Sequence, residues 1–471
     1  MKTAFFVSCL ASSIQGVQLE SSASAYAELL AQMSVNTNYG SCMVAADRAK
    51  VGQENLDHMM RSRGKYSDPA FPRDLNAIYW RGWEQPDEGG LPKNDQLAKL
   101  EWLRLSEKFP DGSMFGTENI RPADIKQGSV GNCWFLSAAA SIAEHPGRME
   151  KIFATELDRR GGHAVNMFTL GVPSTVVIDD YIPFIDGRAM GARMTDDGSI
   201  WPMVLEKAFA KMRGNYNHIS GGLPSKGVRY LRGGPIIAKK TKYMTVDEIW
   251  NFVTEHLGNG DLVTAGTQAG SDTDADKWGM VLGHAYTVAG FKQLSNGDKL
   301  IKARNPWGRD SYRGDYGADS KLWTPELVRE VPDAKDDDDG YVYMPVKQFK
   351  VSFATIDANY NTERMKMDYH LKINDRSRGD TKGDKDLERA NNGCGSECKL
   401  ASVTVVSTVA QKVWVTINTW SDDTMNDGCT DPGKGKFHSV YPTPQKARMR
   451  MHGHRGGEIS QGPYAFDKNS Y

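Results

Sequence analysis

Gln127-Gly128-Ser129-Val130-Gly131-Asn132-Cys133-Trp134-Phe135 is the stretch from which the rest of this chain is read. Its glycines let the backbone loop pass close to another molecule. The apolar run that follows, with Trp134, Leu136, Ala140 and Ala143 available for burial, predicts a helix from Cys133 through Ala143. Cys133 then sits at a helix start, where unpaired N–H groups and the positive end of the dipole favour thiolate over thiol. Gln127, six residues upstream, carries an amide that suits the oxyanion of a tetrahedral intermediate, together with the cysteine's own N–H. Alone the stretch is ambiguous, because buried structural cysteines are common.

A sulphur nucleophile needs a base that can protonate a leaving amine, and histidine is the usual choice. His284 stands in Gly283-His284-Ala285-Tyr286-Thr287-Val288, entering a strand. Asn305, in Arg304-Asn305-Pro306-Trp307-Gly308, is a group that would orient the imidazole, and Trp307 beside it would shield their hydrogen bond from water. Taken singly, the histidine reads as structural, Asn305-Pro306 as a turn, the tryptophan as core and Gln127 as a surface side chain. Together, in the order Cys, His, Asn used by papain-like proteases, they read as a catalytic site.

The same residues carry a family resemblance. Gln127-Gly-x-x-Gly-x-Cys133-Trp134 resembles the nucleophile motif of the calpains. Val177-Ile178-Asp179-Asp180-Tyr181-Ile182-Pro183, the run from Trp201 through Lys211, Tyr216 and Ser220-Gly221-Gly222 are similar to the signatures that follow it. Gly283-His284-Ala285-Tyr286 and Arg304-Asn305-Pro306-Trp307-Gly308 resemble the motifs of the other two catalytic residues, and the likeness runs from about Tyr66 to Ala358. It implies an α+β, papain-like fold of two lobes meeting at a cleft that also involves Trp134. A helical lobe over 66–233 would carry Cys133, and a β-rich lobe over 234–358 would carry His284 and Asn305. It also implies endoproteolysis of protein substrates, with no cofactor needed for the chemistry and calcium as an activator that draws the lobes together.

The chain departs from that pattern where calcium is concerned. Asp124 and Asp339 match acidic ligands of the two lobes. The glutamates expected elsewhere are Ser199, with Asp196 and Asp197 close by, then Ser311 and Tyr341. Calcium prefers six to eight oxygen ligands, several of them carboxylates, so these replacements weaken both sites.

Working outward, 471 residues with 58 basic and 59 acidic side chains give a formal charge of −1, which removes any whole-chain electrostatic case for nucleic acid. A composition 39% hydrophobic and 25% charged is that of a globular protein, and no apolar run approaches a membrane span. Residues 1–65 read as an N-terminal extension. Lys2 followed by Ala4-Phe5-Phe6-Val7 resembles a signal peptide over 1–25, against a frayed or helical extension through Leu30. Six scattered cysteines and the lack of any Asn-x-Ser/Thr acceptor favour the cytoplasm over the secretory pathway. Cys394 and Cys398 read as a loop pair rather than half a zinc site.

From 364 to 471, Ala401–Val406 and Val413–Ile417 among polar loops suggest a β-sandwich-like module, and the basic segment at 446–455 offers contact with anionic lipid. No helix–loop–helix calcium signature is present, so a small regulatory subunit is not expected. The rival readings are a non-catalytic calpain-like scaffold and a Cys-His acyltransferase or transglutaminase. The latter usually takes aspartate as its third group, and Asn305 argues against it.

Overall fold

The computed structural model describes residues 45–78, most of 91–154, and 160–364 apart from 170–171 and 336–338, with short strands at Thr3–Cys9, Tyr369–Asp375 and Thr416–Asn418. In chain order the elements begin with β1 (Thr3–Cys9), α1 (Ala45–Arg61), β2 (Leu100–Arg104), α2 (Leu105–Lys108) and α3 (Cys133–Ala143). Next come β3 (Gly162–Thr169), β4 (Val172–Asp179), β5 (Tyr181–Ile185), β6 (Arg188–Ala189), α4 (Trp201–Arg213) and α5 (Pro224–Arg232). The second half holds β7 (Ile236–Lys240), α6 (Val246–Gly258), β8 (Leu262–Thr267), β9 (Ala285–Gln293), β10 (Lys299–Arg304), α7 (Pro325–Glu330), β11 (Tyr341–Pro345), α8 (Val346–Ser352) and β12 (Phe353–Asn359). β13 (Tyr369–Asp375) and β14 (Thr416–Asn418) close the series.

The first lobe is organised around α3, buried along its whole length from Trp134 to Ala143. Small residues make that burial practical. α5 crosses so closely at Gly227 that a Cβ there would lie 2.8 Å from the Ala138 Cβ and 3.1 Å from the Trp134 carbonyl. Phe135 stacks on Phe209 of α4 with ring centroids 3.8 Å apart, and the Trp134 edge meets the same ring at 5.4 Å. The Trp134 indole N–H donates to Ile219 O at 2.9 Å.

α4 is buried through Met212 although it contains two lysines. Lys207 reaches Asp179 and the Tyr181 carbonyl, and Lys211 reaches both oxygens of Asp68, at 3.0 and 2.8 Å, and Val177 O. Buried ammonium groups persist only when paired in this way. The lobe is less purely helical than its sequence suggested. It also holds the antiparallel hairpin β3–β4 and the sheet β2-β5-β6, in which Leu100–Arg104 pairs with Tyr181–Ile185.

The second lobe is a six-stranded antiparallel sheet in the order β11-β10-β9-β8-β12-β7. α6, absent from the sequence reading, buries Ile249, Trp250, Phe252 and Val253 against it. Its start is fixed by a capping box in which Glu248 N donates to Thr245 Oγ1 and Thr245 N to the Glu248 carboxylate.

β1 forms the centre of a separate three-stranded sheet, pairing antiparallel with β13 and β14. The apolar stretch read as a signal-peptide candidate is thus a strand over Thr3–Cys9, while the helical extension through Leu30 lies outside the described residues. Of the module expected to be β-sandwich-like over 364–471, Ala401–Val406, Cys394, Cys398 and the basic segment 446–455 also lie outside them. No helix among the described residues is long and apolar enough to cross a membrane.

Candidate active site

Cys133 opens α3, and the preceding Asn132 carbonyl accepts the N–H groups of Phe135 and Leu136. The Asn132 side chain does not cap the helix. It turns inward, donating from Nδ2 to Glu206 Oε1 at 2.7 Å, while Ala192 N–H donates to Glu206 Oε2 at 2.9 Å. The nucleophile loop is locked to the same region from the other side, since Ser129 N–H donates to Met190 O and a Cβ on Gly128 would lie 1.9 Å from Gly191 O. Burial pushes the Glu206 carboxyl up to about 7, against the pull of its two N–H donors. This keystone was missed in the sequence; an acidic residue on the buried face of an amphipathic helix was the signal available.

Cys133 is half-buried at the start of α3, a helix that packs directly against β9, the strand entered at His284. Ala285 packs into the first lobe's core, and Thr287 Oγ1 of β9 donates to Ser137 O of α3 at 2.6 Å.

His284 is held at its backbone by Thr267. Its N–H donates to Thr267 Oγ1, and its carbonyl accepts from Thr267 N–H, each at 2.9 Å. Gly283 has φ +57°, and a Cβ there would stand 2.3 Å from Gly270 O, so glycine is required before the histidine.

The imidazole Nε2 lies 2.9 Å from Asn305 Oδ1. That same oxygen accepts the Trp307 N–H at 3.0 Å, forming a turn of the Asx kind. Because one donor already identifies the atom as oxygen, Nε2 must carry the hydrogen, and Nδ1 is left with a lone pair. The Trp307 ring lies over the pair, its centroid 4.7 Å from that of His284. Burial pushes the thiol up to about 11 and the imidazole down to about 4, the Asn305 hydrogen bond partly opposing the latter.

Gln127 is buried, and its backbone N–H donates to Pro306 O across the lobes. Its Nε2 donates to Val130 O at 2.8 Å. A carboxamide has two N–H groups, so one remains for an oxyanion. Trp134 underlies Gly222, where a Cβ would be 2.4 Å from the indole.

The candidate calcium ligands do not fit a calcium ion. Asp124 is fully buried, and its Oδ2 accepts from Trp201 Nε1 and from Arg121 N–H. The Arg121 guanidinium stands 3.5 Å from Asp124 Oδ1 and 3.6 Å from Asp197 Oδ2. Asp197 is further engaged by Thr195 Oγ1 and by the N–H and hydroxyl of Ser199, while Asp196 points into solvent beside Lys126. In the second lobe, Asp339 Oδ1 accepts the Tyr341 N–H, the Lys302 ammonium lies 4.0 Å from the Tyr341 ring centroid, and Ser311 donates to Gly279 O. Few carboxylates and resident cations are the opposite of what calcium requires. Among the described residues no group of three or more His, Cys, Asp or Glu is arranged to hold a metal.

Comparison with known proteins agrees with this architecture. The chain is 30% identical over 304 residues to the calpain-type cysteine protease DEK1 of Zea mays, covering 62% of this chain and 14% of that protein. It is 29% identical over 307 residues to the calpain-type cysteine protease ADL1 of Oryza sativa, with the same coverage, and 28% identical over 302 residues to human calpain-12, covering 62% and 40%. The chain thus spans well under half the length of these relatives. Among solved structures, a recombinant stem bromelain precursor matches at 11% identity and a TM-score of 0.20, over 72% of this chain and 98% of that one, too slight a likeness to argue from. The family model described as calpain family cysteine protease matches residues 66–359, more than half the chain, and the protein belongs to that family.

Proposed function

We propose that the chain is a cysteine endopeptidase that cuts protein substrates by limited proteolysis. The Cys133 sulphur attacks the scissile carbonyl carbon as the thiol proton passes to His284 Nδ1. Asn305 keeps the imidazole in the tautomer with Nε2 protonated. The oxyanion is met by the Cys133 N–H and the remaining Gln127 amide N–H. Collapse of the tetrahedral intermediate breaks the C–N bond, and the imidazolium gives its proton to the departing amine. A thioester is left on Cys133. His284 then takes a proton from water, whose oxygen attacks the thioester, and the acid product leaves with the thiol restored.

The observation that carries this reading is the 2.9 Å contact between His284 Nε2 and Asn305 Oδ1, with Ala285, the residue after the histidine, packed into the core around α3. The scaffold reading retains the same fold and differs in chemistry alone. Alkylation by iodoacetamide followed by peptide mapping separates them: a peptidase labels at Cys133 far faster than at its other thiols, and a scaffold labels them all alike.

A further inference from the structure

We propose that side chains, rather than calcium, hold the two lobes together across the catalytic cleft: Arg121 is the resident cation of the first lobe, and the Tyr341–Glu144 hydrogen bond is a fastener between the lobes. The proposal deepens the peptidase reading and rests on it for its consequence, which is hydrolysis without calcium.

Arg121 stands between two carboxylates from different segments. Asp124 lies three residues before Gln127, and Asp197 lies in the turn that leads into α4. The chain sets its own guanidinium beside both carboxylates, although burial still holds the Asp124 carboxyl above its ordinary range, and a divalent ion in the same place would face that guanidinium at contact distance.

At the seam, Tyr341 Oη donates to Glu144 Oε1 at 2.7 Å. Glu144 is the C-terminal cap of α3, at the opposite end from Cys133. Tyr341 begins β11 and pairs in register with Arg304, the neighbour of Asn305. The bond therefore ties the helix of the nucleophile to the strand pair that presents the asparagine. Arg304 is fully buried and reaches across with Nη2 to Ile125 O at 3.0 Å, while Gln127 N–H meets Pro306 O at 3.0 Å from the other side. The Arg304 and Gln127 contacts link the lobes beside Asn305, the Tyr341–Glu144 bond links them at the far end of α3, and all use only side chains and backbone. Tyr341 and Glu144 touch no substrate; they are positioning residues.

The test reads calcium binding and cleft assembly separately from turnover. Melting temperature, the rate of Cys133 alkylation and casein hydrolysis are measured on the full chain in excess EGTA and in millimolar calcium. The expected result is the same melting temperature and the same alkylation rate in both. A rise of several degrees, or alkylation faster by about tenfold with calcium, overturns the proposal. For the fastener, Tyr341→Phe and Glu144→Leu are expected to slow alkylation of Cys133 by about tenfold, an effect of one lost hydrogen bond to a charged acceptor. Glu144→Gln, which keeps an acceptor for the tyrosine hydroxyl, stays close to the parent. Equal rates in all three variants overturn the fastener. Calcium-indifferent labelling with no hydrolysis in any condition would instead strike the peptidase reading and leave this one standing.

Discussion

Asn305 Oδ1 faces two N–H donors at once, and that single atom fixes how a proton moves in the site. Replacing it with alanine frees the ring to rotate and to change tautomer, so kcat is expected to fall by about a hundredfold or more with KM little changed, measured on a fluorogenic peptide. Asn305→Asp puts a negative charge against the imidazole and raises its proton affinity; the acid limb of the pH–rate profile then moves to higher pH. Glu206 is a second residue with a pH signature. Its folded value of about 7 lies above the ordinary 4.5, so the stability it contributes is full below about pH 4.5 and is lost as the pH rises through about 7. His284, depressed to about 4, acts in the opposite sense, its contribution falling away as the pH drops from about 6.5 to 4. Glu206→Gln removes only the first effect, and urea denaturation across pH 5 to 8 should show a flatter alkaline side, with stability at acid pH lower by about 1–3 kcal/mol from a hydrogen bond lost to Ala192 or Asn132. An unchanged alkaline slope would contradict the assignment. Gln127, Cys133, His284 and Asn305 could be singled out in the sequence because the proposed chemistry needs a particular atom of each. Glu206 and Arg304 were not, because their value lies in partners far away in the chain, Asn132 and Ile125.

α3 was legible at its ends as well as its centre, since an apolar run there follows a glycine-rich loop. α4 also shows what periodicity hides. Lys207 and Lys211 fall on a face that is fully buried, a placement the alternation of apolar residues would assign to solvent. Asp179 and Asp68 make it tolerable, and neither partner is on the helix. Lys207→Met is therefore expected to destabilise the fold by about 3–5 kcal/mol, because Asp179 stays buried and charged without a counterion, and Asp179→Leu in the same chain should recover much of that. Chemical denaturation of the single and double variants checks both; a cost under about 1 kcal/mol for the single change would refute it. The helix α6 carried a readable start in Thr245-x-x-Glu248 ahead of Ile249-Trp250, yet it sits in the lobe expected to be β-rich. Sheet order and register were not legible at all. The neighbours β8 and β12 are separated by three other strands in sequence, and such pairing depends on closing long loops.

At the scale of the whole molecule, the two lobes are joined by hydrogen bonds that start close to the residues proposed to react. Thr287 to Ser137 and Arg304 to Ile125 cross the junction with at least one end within a few residues of Cys133, His284 or Asn305, and Tyr341 to Glu144 crosses it at the far end of α3. None of these bonds could be read from the chain, because each joins residues from opposite halves. The motifs could be read because the chemistry of peptide hydrolysis prescribes their residue types. The proposed activity depends on the Cys133 sulphur attacking a carbonyl with His284 as the proton acceptor. The direct test is digestion of casein by the purified chain and by Cys133→Ser, with melting temperature as the control for folding. Thiol and hydroxyl are nearly isosteric, so the account predicts cleavage by the parent, none by the variant, and the same melting temperature for both. Casein cut equally well by Cys133→Ser would contradict it.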